Sequence, residues 1–430
     1  MAGLALPERM RGEKRVEKCK KHLVLIGAGK IGCGYLADLF GSAGYSLTFL
    51  VHSPAQTQKM REQGYYTLFV TGEQSGETVK QKVSGYEAFC TATEREQCVD
   101  ALCNTNYASL HTYPGAFPEL AELLADAVKK RCALGLEDTL DVMLCVNVID
   151  AFEQFDSRIR AGLSAQEQAY YEKYIGLVRT LTYRGGFIPK PEQLAEDELA
   201  VWASDYPDLP VDKEAFRGEI PEGVNLRLMD KMVGRAVAKV WCGNVRSCSL
   251  AMLSAKWGFT YTNEGAGVAY IRKCVDSCQE EATQAVLLEY GFTREELALG
   301  ARAQKGEDWW SRMLHDGMPD AIFRVANDPI RKLSRKDRLT GPALCCLKHG
   351  ILPYFLTRAI AYAFFYRHPD DAASMEIAAY LEKEGIDAAI EKYCQLDLEN
   401  QQEKLLLQMV RGHYYEILDW DPMDLEPKPV

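Results

Sequence analysis

The sequence has no apolar run long enough to cross a bilayer, which takes about 20 residues. Its most apolar stretch, residues 356–366, is much shorter and contains Arg358. It also has no excess of positive charge, because 50 Lys and Arg face 61 Asp and Glu for a net charge of −11. This balance gives no electrostatic reason to bind nucleic acid or an anionic membrane. Residues 1–21 are charged and lack the apolar core of a signal peptide, so we expect a cytoplasmic protein.

The sequence also lacks a Cys-x-x-Cys pair, although it contains 14 cysteines. They are scattered along the chain without a signal sequence, which argues against a disulfide framework. Cys274 and Cys278 are four residues apart, and Cys345 is adjacent to Cys346, but neither pair has the His or carboxylate spacing of a zinc site. We therefore predict no metal and interpret the cysteines as buried or surface thiols.

At 430 residues the chain is longer than one compact core usually fills, which predicts two domains. In the first half, short runs of β-forming residues alternate with helical patterns. The predicted strands are 22–27, 46–51, 65–70, 107–112 and 141–146, and the predicted helices are 31–39 and 118–131. This alternation is typical of an α/β fold with a parallel sheet, here a Rossmann-type doubly wound domain.

The second half has helical periodicity in long segments, which predicts a mainly α-helical domain. These segments are 230–241, 268–290, 294–301, 341–366, 371–384 and 399–415. A stretch rich in proline and acidic residues, 189–223, separates the two patterns. The predicted organisation is a basic extension (1–20), a Rossmann-type domain (21–205), a helical domain (206–418) and an acidic tail (419–430).

A glycine-rich turn follows the first predicted strand and precedes the first predicted helix. It consists of Gly27, Ala28, Gly29, Lys30, Ile31 and Gly32. In a dinucleotide site the first glycine permits the tight turn, the second lets the backbone approach a pyrophosphate, and the third lets helix and strand pack closely. The position of the turn therefore favours a nicotinamide cofactor over a turn that binds nothing.

The end of the second strand lacks the acidic residue that usually binds the ribose hydroxyls of NAD. His52 and Ser53 stand there instead, and both can donate to a 2′-phosphate. The nearest cations, Lys59 and Arg61, follow a turn or two later. This pattern slightly favours NADP over NAD.

Two further groups of residues can carry chemistry. Lys239 and Asn244 lie five apart on a predicted helix, where an enclosed Lys can act as a general base and an Asn can hold the same oxygen. The segment 320–342 contains six basic residues, including Arg324 and Lys332, which suits an anionic or polyhydroxy substrate. Taken alone, both patterns are more often solvated surface than catalytic machinery.

In this order, these pieces resemble the polyol-specific long-chain dehydrogenases, and within that family most closely the mannitol-1-phosphate 5-dehydrogenases. The resemblance covers roughly residues 20–415. It is carried by LIGAGKIGCGYLADLF, LTFLV, LCVN (144–147), VDKEAFRGEIP (211–221), AKVWCGN (238–244) and FRVANDPIRKLSRKDRLTGPA (323–343).

The resemblance implies a role for each matching position. Lys239 would be the general base, Asn244 and Asn147 would contact the reacting oxygen, and Arg324 and Lys332 would bind the substrate. The third position of the Lys-x4-Asn-x2-His signature is Ser247 rather than His. Two other departures are Val146, where the family has Glu, and the segment 183–187, where the family's Asp is missing.

We therefore expect an NAD(P)-dependent oxidoreductase that interconverts a secondary alcohol of a polyol, sugar phosphate or sugar acid with its ketone. The resemblance implies a monomer or a weak dimer. Two alternatives remain open: a ketoacid reductase of the ketopantoate-reductase type, and a cofactor-binding paralogue that has lost catalysis. The departures surround the substrate rather than the cofactor, which suits a changed substrate better than a dead enzyme.

Overall fold

The computed structural model describes residues 21–73, 75–300, 309–314 and 320–419. They form two compact units that divide between Leu228 and Met229. The predicted extension 1–20 and, apart from Asp419, the predicted acidic tail lie outside the described residues.

The strands all lie in the first unit or at its end. They are β1 (His22–Ile26), β2 (Ser46–Val51), β3 (Tyr65–Thr71), β4 (Thr78–Ser84), β5 (Glu87–Cys90), β6 (Tyr107–Leu110), β7 (Leu140–Leu144), β8 (Ile175–Arg179), β9 (Gly186–Phe187), β10 (Val201–Ser204), β11 (Leu209–Asp212) and β12 (Leu226–Met229).

The α-helices of the first unit connect these strands. They are α1 (Ala37–Ser42), α2 (Pro54–Gln63), α3 (Arg95–Cys103), α4 (Phe117–Ala133), α5 (Ala151–Ala161), α6 (Ala165–Tyr174) and α7 (Pro191–Glu196). A π-helix, Gly32–Leu36, precedes α1, and a 3₁₀ turn, Pro114–Ala116, precedes α4.

The second unit is helical. Its α-helices are α8 (Met232–Ala238), α9 (Val245–Lys256), α10 (Thr262–Ala266), α11 (Ala269–Tyr290), α12 (Arg294–Gly300), α13 (Trp309–Met313), α14 (Ile322–Ala326), α15 (Pro329–Leu333), α16 (Thr340–Lys348), α17 (Tyr354–Ala363), α18 (Ala372–Cys394) and α19 (Gln401–Asp419). A second π-helix, Lys239–Asn244, joins α8 to α9. Among the described residues, none of these helices combines the length and the apolarity that a bilayer span requires.

The main sheet confirms the predicted doubly wound Rossmann architecture. Its six strands are parallel in the order β5-β2-β1-β6-β7-β8. Side chains 23–26 of the central strand β1 are almost completely buried, which explains why that strand is a continuous apolar run. The order reverses at β1, whose neighbours β2 and β6 lead to opposite halves of the sheet. Ligands of such folds bind beside this reversal, beyond the carboxyl ends of the strands.

The strand predicted at 65–70 does not join the main sheet. As β3 it lies in a second sheet of order β4-β3-β10-β9, where it pairs antiparallel with β4 and parallel with β10. Side chains of β3 alternate between buried and half-buried positions, and most of those of β4 are exposed. The polar composition of β4 explains why the sequence did not reveal that strand.

Residues 206–228 pack with the first unit, although the sequence placed the second domain from residue 206 onward. Asp141 of β7 is fully buried and accepts hydrogen bonds from the backbone N–H groups of Arg217 (2.7 Å) and Gly218 (3.0 Å). A side chain at Gly218 would approach Thr139 Oγ1 to 2.1 Å. These contacts hold the segment 211–221 against the main sheet, so the units divide about 20 residues after the predicted boundary.

The second unit packs around α11, which contacts α9, α16 and α17. Its buried residues recur every three or four positions, as on an amphipathic helix: Ile271, Cys274, Val275, Cys278, Ala282, Ala285 and Val286. The single helix predicted over 341–366 is interrupted between α16 and α17. Gly350 has a positive φ of 74° there, and Pro353 follows it, so the chain turns before helix resumes.

We predict that Asp141→Ala lowers the free energy of unfolding by about 2–4 kcal/mol, because two buried N–H groups lose their acceptor. Urea denaturation followed by circular dichroism measures the change. Asp100→Ala is the control, since it removes only a half-exposed ion pair with Lys130 and should cost less than about 1 kcal/mol. Equal effects of the two substitutions would contradict this role for Asp141.

Candidate functional site

The three glycines of the glycine-rich turn lie in different surroundings. Gly27 has a φ of 109° and donates its N–H to Leu50 O at 2.8 Å, which ties the turn to β2. A Cβ at Gly32 would lie 2.4 Å from Gly27 O, so only glycine fits there. A Cβ at Gly29 would have no heavy atom within 4 Å, and Gly29 is exposed. The turn is therefore closed on its inner side and open at Gly29.

His111 presses against the inner side of this turn and was not singled out by the sequence. It follows β6, donates its backbone N–H to Ile26 O at 3.1 Å, and lies 2.9 Å (Nδ1) from the Cβ position of Gly27. Burial lowers the pKa of His111 to about 4. Neither ring nitrogen has a hydrogen-bond partner among the described residues, so a neutral imidazole packs beneath the turn.

The helix that follows the turn starts at Lys30 and soon widens into the π-helix Gly32–Leu36. The N–H of Ala37 bonds to Gly32 O, five residues earlier. Such turns are rare and occur often at functional sites. The exposed N-terminal end of this helix, at Gly29 and Lys30, presents backbone N–H groups of the kind that hold phosphates.

A cavity of about 200 Å³ lies beside the turn. Its walls include Gly29, Lys30, Gln56, Phe187, Glu198 and Trp202. Gln56 donates its side-chain amide to Ala28 O at 3.1 Å and so connects α2 to the glycine turn. Three of the residues predicted to hold a dinucleotide, Ala28, Gly29 and Lys30, thus border an open volume large enough for part of one.

The segment 183–187 is fastened to the helix of the glycine turn. Arg184 is buried, pairs with Asp38 of α1, and donates to Gly34 O at 3.1 Å. A side chain at Gly186 would lie 2.6 Å from Lys30 Cβ, so the backbone there passes directly over Lys30. This segment therefore shapes the wall beside the turn, a role that its sequence did not indicate.

The end of β2 has the predicted residues in place but little free positive charge. The Ser53 hydroxyl caps α2 by accepting from the Gln56 N–H at 3.3 Å. His52 is exposed, and its Nδ1 lies 3.5 Å from a carboxylate oxygen of Glu119. The two nearby cations are engaged in pairs: Lys59 with Glu198, and Arg61 with Glu94 at 2.7 Å.

Asn147 lies in the first unit, three residues beyond β7, and is exposed. Its neighbour Val146 is partly buried and packs against the core cluster on that side of the sheet. An amide at the carboxyl end of a parallel strand lies on the edge where such folds bind ligands.

Lys239 and Asn244 begin and end the π-helix of the second unit. On an α-helix, residues five apart point about 140° away from each other. A π-helix bonds residue i to residue i+5, so the same two residues lie one turn apart on a common face. Both are partly exposed, and the local helix type therefore makes their spacing suitable for joint action.

The π-helix is anchored to the basic segment that the sequence singled out. Trp241 donates its indole N–H to Lys336 O at 3.0 Å, and its ring covers Gly341, where a Cβ would lie 2.8 Å away. Ser247 lies in α9, three residues after Asn244, and is partly exposed. Its neighbour Cys248 affects the pKa of Lys332, so the Lys-x4-Asn-x2-Ser segment and the basic segment lie together within the second unit.

The basic residues of 320–342 are mostly paired with acids. Arg331 pairs with Asp328 (3.0 Å), and both Arg331 and Arg338 pair with Asp337. Arg324 is 62% exposed at its side chain and pairs with Asp320. The alternative interpretation of a solvated, internally paired face therefore holds for Arg324 and Arg331, whereas Arg338 is paired but buried.

Lys332 differs from the other cations of the segment. Its residue exposure is only 3%, and no acid or hydrogen-bond acceptor holds its ammonium group among the described residues. Burial, and to a smaller extent Arg331 and Arg338, lowers its pKa to about 8. Lys332 is thus an enclosed cation that lacks a partner anion, as a substrate-binding group requires.

We predict that the stability difference between wild type and Lys332→Met depends on pH. The unfolded Lys, with a pKa near 10.4, binds a proton that the folded Lys332 has lost, so wild-type stability rises as the pH passes from about 8 to about 10.4. The expected gain relative to the variant is about 3 kcal/mol, measured by urea denaturation at pH 7 and pH 10.

Lys348→Met is the control that should show no pH dependence, because Glu289 raises the pKa of Lys348 and its contribution is lost only above about pH 10.4. If the difference in free energy of unfolding between wild type and Lys332→Met is the same at pH 7 and pH 10, the pKa of Lys332 is not lowered by burial.

Comparisons with known proteins agree with this geometry. Residues 21–222 match the family model described as the mannitol dehydrogenase Rossmann domain. The Pseudomonas fluorescens mannitol 2-dehydrogenase, solved as a ternary complex with NAD and D-mannitol, superposes with a TM-score of 0.73 at 13% identity, covering 93% of this chain and 92% of that one. A D-sorbitol dehydrogenase in substrate-free form gives 0.70 at 13% identity, covering 94% of each chain.

The structural likeness shows a shared fold, and the family model identifies the first unit. The resemblance inferred from the motifs is confirmed for the first unit, where residues 21–222 match the mannitol dehydrogenase Rossmann domain.

Proposed function

We propose that the protein is an NAD(P)-dependent oxidoreductase that interconverts a secondary alcohol of a polyol, sugar phosphate or sugar acid with its ketone. The observation that carries the proposal is the π-helix that brings Lys239 and Asn244 onto one face. A base and an amide donor on one face are what removal of a hydroxyl proton requires. The ligands bound in the mannitol 2-dehydrogenase structure, NAD and D-mannitol, support the same class of reaction.

The first unit supplies the cofactor site. The open space at Gly29 and the backbone N–H groups at the start of the helix fit a pyrophosphate, and the adjacent cavity fits an adjoining part of the dinucleotide. A nicotinamide dinucleotide held there would supply the hydride acceptor for alcohol oxidation and the hydride donor for ketone reduction. Asn147 lies at the carboxyl edge of the same sheet, where such folds bind their ligands.

The second unit supplies the proton chemistry. Nζ of Lys239 takes the hydroxyl proton during oxidation and returns it to the oxygen during reduction. Asn244 donates its amide N–H to the same oxygen and stabilises the charge that develops there. Because these two residues share one face, both can contact a single oxygen atom.

Substrate binding falls to the groups near that face. Lys332 is a buried cation, so an anionic or strongly polar end of the substrate would relieve the cost of its burial. Arg324, which is exposed and paired with Asp320, would contribute at longer range. Ser247 would donate one hydrogen bond where the family has a histidine.

We propose NAD rather than NADP as the preferred cofactor, which reverses the slight preference drawn from the sequence. A 2′-phosphate needs an available cation, but Lys59 and Arg61 are both paired with glutamates. Glu119 beside His52 adds a further negative charge near this strand end. These acids would repel a phosphate more than the ribose hydroxyls of NAD.

We predict that the purified protein oxidises NADH with a member of a panel of ketoses, ketose phosphates and keto-sugar acids that includes fructose 6-phosphate. Lys239→Ala should lower kcat/KM by about 10²–10⁴-fold because the proton donor is lost, while cofactor binding, followed by fluorescence, persists. Absorbance of the reduced nicotinamide measures both proteins. Lys273→Ala, an exposed change on α11, is the control that should keep full turnover.

The same panel separates the alternatives. Turnover of 2-ketoacids alone would favour a ketoacid reductase. Cofactor binding without turnover of any substrate would favour a paralogue that has lost catalysis, and it would overturn the role of Lys239.

We further predict that two glycine substitutions in the turn affect different properties, one the stability and the other the cofactor binding. Gly32→Ala should lower the free energy of unfolding by about 2–3 kcal/mol, because its Cβ would overlap Gly27 O and His111. Gly29→Ala should leave the unfolding midpoint unchanged and weaken NADH binding at least about tenfold, since the new methyl group occupies the approach of the pyrophosphate. Unchanged NADH affinity in Gly29→Ala would contradict this placement of the cofactor.

A further inference from the structure

Three side chains that bind metals in other proteins meet at the end of the α11–α16 helix pair. Glu289 lies in the last turn of α11, Cys345 lies on α16, and His349 follows α16 as its C-cap residue. One donor atom from each of the three lies within 4.8 Å of the other two. None of these residues belongs to the proposed catalytic face.

The surroundings of the three residues are only partly polar. Nε2 of His349 lies 2.8 Å from Glu289 Oε2, and Nζ of Lys348 lies 2.6 Å from the same oxygen. Cys345 is buried, and its thiol contacts Ala285 O at 3.8 Å. Side chains of Glu289 and His349 are about one quarter exposed, at 26% and 23%, so solvent reaches two of the three donors.

We propose that Glu289, Cys345 and His349 bind a zinc ion or a similar borderline-soft divalent cation, with a water molecule as the fourth ligand. Zinc favours this mixture of sulfur, imidazole and carboxylate donors in a tetrahedral arrangement. With bonds of about 2.0–2.3 Å, tetrahedral ligand atoms lie about 3.3–3.6 Å apart. The donor atoms already lie within 4.8 Å of one another, so binding would require shifts of about 1.5 Å or less between them.

The helical spacing makes the arrangement possible. Cys345 and His349 are four residues apart, so they project from the same side of α16, towards α11. Glu289 comes from 56 residues earlier in the chain, which explains why the sequence predicted no metal site. The spacing Cys-x3-His was present, but its third ligand could be found only in three dimensions.

Metal binding must displace a proton. Burial, with a smaller contribution from Glu289, raises the pKa of Cys345 to about 11, so the thiol is protonated at neutral pH before the cation arrives. On binding, the thiol sulfur forms a bond to the cation and its proton leaves to solvent. Lys348 can swing away from Glu289 into solvent, because its side chain is 61% exposed.

A bound cation would fasten α11 to α16 behind the catalytic π-helix. Cys242 of that π-helix is buried and lies close enough for Cys345 to add to the rise of its pKa, which burial mainly causes. The π-helix also packs on α11. The site would therefore brace the elements that hold Lys239 and Asn244 in position.

The test uses the full-length, tag-free chain after treatment with a chelator, titrated with Co²⁺ as a coloured substitute for zinc. We expect tetrahedral d–d absorption together with a thiolate-to-metal charge-transfer band, both abolished when Zn²⁺ is added. Cys345→Ser should lose the charge-transfer band, and His349→Ala should weaken binding at least tenfold. Cys346→Ser is the matched control, since its thiol bonds to Glu281 O and should leave the spectrum unchanged.

Thermal unfolding in chelator shows whether each variant is folded, and the midpoint should rise on adding Zn²⁺ for wild type and Cys346→Ser but not for Cys345→Ser. A wild-type spectrum without a thiolate band, or one that Cys345→Ser leaves intact, would overturn the site. In that case the ion pair of Glu289 with Lys348 and His349 is the whole function of the cluster.

Discussion

The close approach of His111 to Gly27 and Gly32 is the constraint on which the first unit depends. A side chain at either glycine would overlap His111 or the backbone of the turn, so strand β6 can lie beside β1 only because both positions lack a Cβ. The imidazole fills this contact, and its ring has no hydrogen-bond partner in the described part of the chain, which requires that it stay neutral. Because His111 fills the inner side of the turn, only the outer side, at Gly29, is open to a ligand.

The second unit depends on a change of helix type. One extra residue per turn between Lys239 and Asn244 converts two side chains that an α-helix would separate into neighbours on one face. Trp241 lies inside this turn and bonds to Lys336, so the wider helix is fixed to the basic segment rather than free to return to α-helical register. The first unit has its own π-helix directly after the glycine turn, and both rare elements therefore coincide with the motifs that carry chemistry.

Much of the fold follows from local sequence patterns, and most of the misses follow from long-range contacts. Strand 46–51 and helix 118–131 are predictable because apolar periodicity and turn residues lie within a few positions of each other. The second sheet, by contrast, joins residues near 70 to residues near 200, and the hydrogen bonds of Asp141 draw 211–221 into the first unit. In the same way, the glycine turn could be predicted from the spacing of its glycines. The burial of Lys332 could not, because it depends on helices that are distant in sequence.

The three departures from the family pattern have different structural meanings. The segment 183–187 provides Arg184, which is buried against Asp38 and Gly34, so its changed sequence is used to secure the helix of the glycine turn. Val146 packs against the core and is also explained by packing. Ser247 is partly exposed, as Val146 is, but it carries a hydroxyl and lies beside Cys248, near the enclosed Lys332. We therefore expect residues of the second unit to determine most of the choice of substrate. The short side chain of Ser247 leaves room for the substrate there, and the buried ammonium group of Lys332 favours an anionic one.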